Sequence, residues 1–361
     1  MYKKIVIKIG SSILRKSGGS LNLGKFKDIA KEVSSLIEKN RKVVIVSSGA
    51  IASGMGKLGL KSRPQMMSRL QALASLGQIE LMKSYQDSFS KYRIEIGQVL
   101  LNWDDFSDRK RYLNAKDTIE QLIKLKVIPV INENDALAVE EIKLGDNDRL
   151  SAMVASLISA DLLLILSDVD GIYDGEGKII RRVSDIKGVK KHCFDTDKDY
   201  CVGGMITKLE AVEIAASLGI PSVITNGNDK NGIREGIGLE SGTFIEAEKR
   251  LSAKKHWITY LSKAKGVITV DTGAEKAIVE RGKSILPMGI LSINGHFDAG
   301  DLITVKNEIG TEIARGISGY SSSEIEKIRG RKSKEIAEVL GFKRRDEVVY
   351  RDNLVLSEVK R

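Results

Sequence analysis

The chain has 361 residues, 42% hydrophobic and 29% charged, a composition that suits a two-domain soluble fold and excludes disordered, collagen-like and membrane-spanning classes. A formal net charge of +10 points to an anionic partner. Nearly all of that excess falls in the first 265 residues, where nucleotide phosphates suit it as well as nucleic acid does.

Two cysteines, Cys193 and Cys201, cannot build a disulfide framework. The N-terminal apolar run is broken at Lys8 and no stretch approaches about 20 apolar residues, so the expected compartment is cytoplasmic.

Lys4 to Ile9 reads as a buried strand that stops at Gly10-Ser11-Ser12. Phe26, Ile29, Ala30, Val33, Leu36 and Ile37 recur at helical spacing, and Lys42 to Val46 is a second buried strand, which makes a βαβ unit. The rhythm repeats with a helix from about Gln65 to Phe89, a strand from Ile94 to Leu101, a helix from Lys110 to Lys124 and a strand from Val127 to Ile131. Leu150, Met153, Val154, Leu157 and Ile158 mark another helix ahead of the apolar run Leu162 to Leu166. Such alternation predicts an α/β fold, a mostly parallel open sheet sandwiched by helices, with ligands at the carboxyl ends of its strands. After about residue 265 the strands shorten and glycines recur, which predicts a small C-terminal β-rich domain over 266–342. The resulting division is 1–250, a linker over 251–265, the β-rich domain, and a charged tail over 343–361 to which no fold is assigned.

A lysine inside an apolar strand is expensive to bury without an anion, so Lys8, just before the Gly10-Ser11 turn, is a candidate for phosphate contact. Gly49 and Gly54 have P-loop spacing, but Met55 stands where a P-loop needs lysine. Asn132-Glu133-Asn134-Asp135 and Gly145-Asp146-Asn147-Asp148 could be ordinary helix caps. If they meet at one sheet edge, they can instead bind a substrate ammonium and hold lysines in place. Ser167-Asp168 follows the most apolar strand, and Gly203-Gly204-Met205-Ile206-Thr207-Lys208 opens a helix with the glycines and lysine that suit phosphate. The acidic runs do not fit a calcium loop, and His192, Cys193 and Cys201 lack metal-site spacing. His192, His256 and His296 lie away from the small-residue turns, which argues against a Ser-His-Asp hydrolase.

Taken together, Val6 to Ser11, Ser47 to Gly54, Asn132 to Asp135, Gly145 to Asp148, Ser167-Asp168 and Gly203 to Lys208 resemble the amino acid kinase family. Residues 266–342 resemble a PUA module through Val270 to Ala274, Ser284 to Ile290 and Phe297 to Asp301. The resemblance implies transfer of a phosphoryl group from ATP, with Mg²⁺, to the γ-carboxylate of L-glutamate, the first step of proline biosynthesis. Aspartate or N-acetylglutamate as acceptor, and RNA binding through the PUA-like module, are the alternatives.

By position, the resemblance implies that Lys8, Lys208 and Asp148 are catalytic and that Ser48, Asp135 and Asn147 hold glutamate. It implies an ATP site of Lys8, Gly10, Ser11, Ser167, Asp168, Val202, Gly203, Gly204, Met205, Ile206, Thr207 and Lys208, and no directly assigned metal ligand. It further implies proline as feedback inhibitor, a homo-oligomer (dimer or tetramer), and a glutamyl-phosphate reductase as partner; the absence of a long apolar stretch argues against a membrane, and a net charge of only +1 over 266–361 disfavours RNA. The chain departs from the family pattern at Cys201-Val202 and Ile206, where a Gly-Thr pair and a hydroxyl residue are usual.

Overall fold

The computed structural model describes residues 2–16, 20–137, 147–186, 188–189, 204–247 and 264–357, and the chain divides into two units, Met1–Arg250 and Leu251–Arg361. Each is taken by itself.

The first unit is built on β1 (Lys4–Ile9), α1 (Leu23–Glu38), β2 (Lys42–Ser47), α2 (Ala50–Lys57), α3 (Met67–Phe89), β3 (Ile96–Leu101), α4 (Trp103–Ser107), α5 (Arg109–Lys124) and β4 (Ile128–Glu133). It continues with α6 (Asn147–Leu157), β5 (Leu162–Ser167), β6 (Arg182–Val183), α7 (Gly204–Ser217), β7 (Ser222–Asn226), α8 (Gly232–Gly238) and β8 (Thr243–Ile245). The strands lie in the order β3-β4-β2-β1-β5-β7-β8-β6, parallel except where β8 runs antiparallel to β7.

The apolar runs of β1, β2, β4 and β5 are the sheet's centre, and helices cover both of its faces, so these strands need no alternation. Chain order reverses across β1, with β2 on one side and β5 on the other. That is the switch point beside which open α/β sheets bind ligands.

On one face Phe26 meets Tyr85 edge-on, their ring centroids 4.8 Å apart, within a cluster that includes Ile5, Ile7, Ile9, Val33 and Leu81. Burial raises the Tyr85 phenol above its ordinary range, and its hydroxyl lies 2.9 Å from Ser47 Oγ. Helices α2 and α3 touch backbone to backbone. A Cβ on Gly77 would sit 1.9 Å from the Ala50 carbonyl oxygen, and one on Gly54 would sit 2.0 Å from that of Leu73, so only glycine permits this approach. The contact seats the start of α2, and with it the Ser47-Ser48-Gly49 turn, in which Gly49 takes a φ of 109°.

The second unit is a five-stranded sheet in the order β10-β9-β11-β12-β13. Its strands are β9 (Gly266–Val270), β10 (Ile290–Asn294), β11 (Leu302–Lys306), β12 (Glu312–Ile317) and β13 (Leu354–Leu356), antiparallel except for β9 with β11. Helices α9 (Thr272–Val279), α10 (Ser322–Ile328) and α11 (Ile336–Leu340) pack with it. Residues 343–357, assigned no fold from the sequence, contribute to this core. Val348 and Val349 are fully buried, β13 pairs with β12, and the buried Tyr320 hydroxyl donates to the Arg345 carbonyl while accepting from the Arg344 and Arg345 amides. The surrounding charges hid two buried valines and a three-residue strand. Among the described residues, no helix is long and apolar enough to cross a membrane.

Candidate active site

Three side chains predicted from separate motifs meet beyond the carboxyl ends of the central strands. Lys8 lies near the end of β1, in register with Val46 of β2 and Ile165 of β5, and is only 4% exposed. Its ammonium lies 2.5 Å from Asp148 Oδ1. Asp148 is in the first turn of α6 and is itself 2% exposed. Its second oxygen, Oδ2, accepts from Lys208 Nζ at 3.2 Å and from Thr207 Oγ1 at 2.9 Å, both in the first turns of α7. Burial alone would raise the Asp148 carboxyl. The ammonium groups of Lys8 and Lys208 outweigh that burial and hold it below the ordinary aspartate value.

The α6 start is pinned by Ser151 Oγ, which donates to the Asp148 carbonyl at 2.5 Å, and by Arg149, whose guanidinium lies 4.9 Å from the Trp103 ring centre and 3.8 Å from Glu210. On α7, Lys208 Nζ also donates to the Gly204 carbonyl at 2.9 Å. A lysine that closes back on its own helix start is held over that start, where a phosphate would sit.

Next to this cation pair is a chain of amides. Asn147 Nδ2 donates to Ser48 Oγ at 3.0 Å, to Asn132 Oδ1 at 3.0 Å and to the Ser47 carbonyl at 3.3 Å. Asn132 Oδ1 also takes the Glu133 amide at 2.9 Å, and Asn132 Nδ2 donates to Gln78 Oε1 at 2.9 Å. Asn147 Oδ1 is buried and has no partner among the described residues.

Ser48 and Asn147 are therefore in direct contact, whereas Asp135 lines a neighbouring cleft of about 270 Å³ with Gln78, Gln98, Glu133 and Asn134. Burial pushes the Asp135 carboxyl up to about 6, against the lowering influence of Arg63.

At the β5 end, Ser167 is buried and its hydroxyl donates to Asp168 Oδ1 at 3.1 Å, while Asp168 is exposed. Ser11 is exposed in the turn after β1. The Gly10 amide donates to the Leu166 carbonyl at 3.1 Å, so it is not a free phosphate donor. What Gly10 contributes is space, since a Cβ there would lie 3.2 Å from Leu166 O and 3.9 Å from the Lys8 ammonium.

Gly204, Met205 and Ile206 form the first turn of α7, with Gly204 exposed and Met205 buried. Gly145, Asp146, Val202 and Gly203, together with Cys201, Cys193, His192 and His256, lie outside the described residues. Two members of the site carried no individual prediction. Asn132 was legible only as part of a polar run at a strand end, and Gln78 carries no signal in the middle of an amphipathic helix. No group of three or more His, Cys, Asp or Glu that could hold a metal occurs among the described residues.

The Amino acid kinase family profile matches residues 3–226, and the PUA domain profile matches residues 266–340. The glutamate 5-kinase of Caldanaerobacter subterraneus subsp. tengcongensis is 44% identical over 364 residues, covering 98% of each chain. A glutamate 5-kinase of Thermus thermophilus is 43% identical, covering 99% of this chain and 98% of its own. Carbamate kinase from Giardia lamblia bound to AMP-PNP shares the fold, with a TM-score of 0.51 at 14% identity over 68% of this chain and 99% of that one. Matching over nearly the full length, on a fold that gathers its motif residues at one sheet edge, the chain belongs to the amino acid kinase family.

Proposed function

We propose that the chain is an ATP:L-glutamate 5-phosphotransferase, which phosphorylates the γ-carboxylate of L-glutamate to give L-glutamyl 5-phosphate and ADP. The observation that carries this reading is the meeting of Lys8 and Lys208 on one buried carboxylate, in a chain whose full-length relatives are glutamate 5-kinases.

The acceptor carboxylate, with an ordinary side-chain pKa near about 4.3, is ionised at neutral pH and attacks phosphorus without a general base. A new bond forms from the γ-carboxylate oxygen to the γ-phosphorus, the bond from that phosphorus to the β,γ-bridging oxygen breaks, and ADP leaves with that electron pair. No proton moves. The chain's task is to neutralise the charge on the transferring group and to align the attacking and leaving oxygens. Lys8 and Lys208 supply the positive charge, and Asp148 holds both ammonium groups in place. Ser48, Asn147 and Asp135 would orient the amino acid. Ser167, Asp168 and the start of α7 would line the nucleotide.

Mg²⁺ neutralises triphosphate charge when bound. Both Asp148 oxygens are already engaged, so the donor set favours a metal that arrives on the nucleotide over one held by this chain. The same reading carries proline as a feedback ligand, a homo-oligomeric state, and a reductase that consumes the labile acyl phosphate.

The test is ADP release with ATP and Mg²⁺ in the presence of glutamate, aspartate or N-acetylglutamate, each with and without proline. Glutamate alone should sustain turnover. Turnover with either of the others, and none with glutamate, would refute the assignment.

A further inference from the structure

The amide chain beside the lysines ends on a residue that belongs to no motif. Gln78 sits in the middle of α3, directly after the Gly77 contact with α2. Asn132 Oδ1 is occupied by the Glu133 amide and by Asn147, which leaves Asn132 Nδ2 to donate, and Gln78 Oε1 to accept. That arrangement fixes the Gln78 amide with Nε2 turned away from Asn132. Nε2 is buried and has no partner among the described residues, and Gln78 lines the cleft that Asp135 shares. At the other end of the chain, Asn147 Oδ1 is a buried acceptor with no partner among the same residues.

A buried polar atom without a partner costs about 1–3 kcal/mol, so one unused donor and one unused acceptor on a single chain call for a ligand that satisfies both. A zwitterionic amino acid does. We infer that Gln78 is a recognition residue for the α-carboxylate of the amino acid substrate, to which its Nε2 donates. The α-ammonium is left to Asn147 Oδ1 and to the carboxylate of Asp135. The inference rests on the amino acid kinase reading and adds to it the residue that selects an α-carboxylate at this end of the site.

The discriminating variant is Gln78→Glu, which keeps an oxygen for Asn132 Nδ2 but replaces the donor with an acceptor. It is assayed above neutral pH so that the new carboxyl is ionised. The expected result is a glutamate KM raised by about tenfold or more, with kcat and the KM for ATP within about twofold of the parent. The inhibition constant of 4-aminobutyrate, which is glutamate without its α-carboxylate, should be unchanged by the substitution. A second variant, Gln78→Met, brings in no charge and should raise the glutamate KM in the same direction if Gln78→Glu fails to fold.

An unchanged glutamate KM in either folded variant overturns the inference. So does a loss that falls equally on kcat and on 4-aminobutyrate, because that pattern marks a structural role. Failure of the parent enzyme to turn over glutamate would instead overturn the reading beneath it, so the two failures are distinguishable.

Discussion

Asp148→Asn keeps the shape of the side chain and removes the one charge that two ammonium groups share. At an effective dielectric of about 20, the 2.5 Å contact to Lys8 represents about 7 kcal/mol of attraction and the 3.2 Å contact to Lys208 about 5 kcal/mol. Desolvation of the three charges offsets most of this, and removing one partner of such a buried pair costs about 3–5 kcal/mol, because the other charge is left stranded. Lys8 is the group that feels the loss most here, since it is 4% exposed inside the sheet. For a unit of this size, the loss should lower Tm by about 10 °C.

Catalysis should fall by about 100-fold or more in kcat, as expected when a preorganised electrostatic element loses its positioning. Binding of anions should move the other way, because two ammonium groups that have lost their shared carboxylate gain more from a triphosphate than a pair that keeps it. Added ATP should therefore raise the Tm of Asp148→Asn by more than it raises that of the parent at the same ATP concentration, because tighter binding gives the larger mass-action stabilisation. Coupled ADP release and thermal denaturation with and without ATP measure both effects. A variant that keeps parental kcat and parental Tm would refute the idea that Asp148 organises the two lysines.

Four further outcomes follow from the geometry. Gly77→Ala should destabilise the first unit by about 1–3 kcal/mol or more and raise the glutamate KM, because its Cβ would lie 1.9 Å from the Ala50 carbonyl and force apart the helices that seat the Ser48 turn; denaturant melts and substrate titration check this. Burial pushes the Asp135 carboxyl up to about 6, so it loses its charge as pH falls through that value and the glutamate KM should rise steeply on the acid side. The sign for stability of the ligand-free protein is opposite. The folded carboxyl binds a proton more readily than the unfolded one, so its contribution declines as pH rises from 3.8 to about 6. Tyr320→Phe should cost the second unit about 1–3 kcal/mol, since the amides of Arg344 and Arg345 and the Arg345 carbonyl lose their shared hydroxyl. Deletion of 343–361 should abolish its cooperative melt, because it removes Val348, Val349 and β13.

What could be read from the sequence differs between these residues for a physical reason. Lys8 was legible because a charge inside an apolar strand contradicts its neighbours, and such local contradictions mark functional sites. Lys208 and Asp148 were legible through glycines and acids clustered at helix starts, where backbone geometry demands particular residues. Gln78 contradicts nothing: a glutamine on a partly exposed helix is ordinary, and its meaning comes only from Asn132, 54 residues away. The same holds for Gly77, which looks like a weak point in its helix, and for Gly54, which sequence spacing marks only as a partner of Gly49, until α2 and α3 are seen in backbone contact. Gly10 shows the converse. Within a turn that reads as a phosphate cradle, its own amide is consumed by Leu166 on the neighbouring strand, and a hydrogen bond to a sequence-distant carbonyl leaves no trace in the local pattern. Motif residues therefore reveal where charge must be handled, while the residues that aim those motifs are set by contacts between distant segments. If Gln78 selects the α-carboxylate, then part of the substrate specificity lies in that second class, carried by a helix whose pattern reports only that it packs.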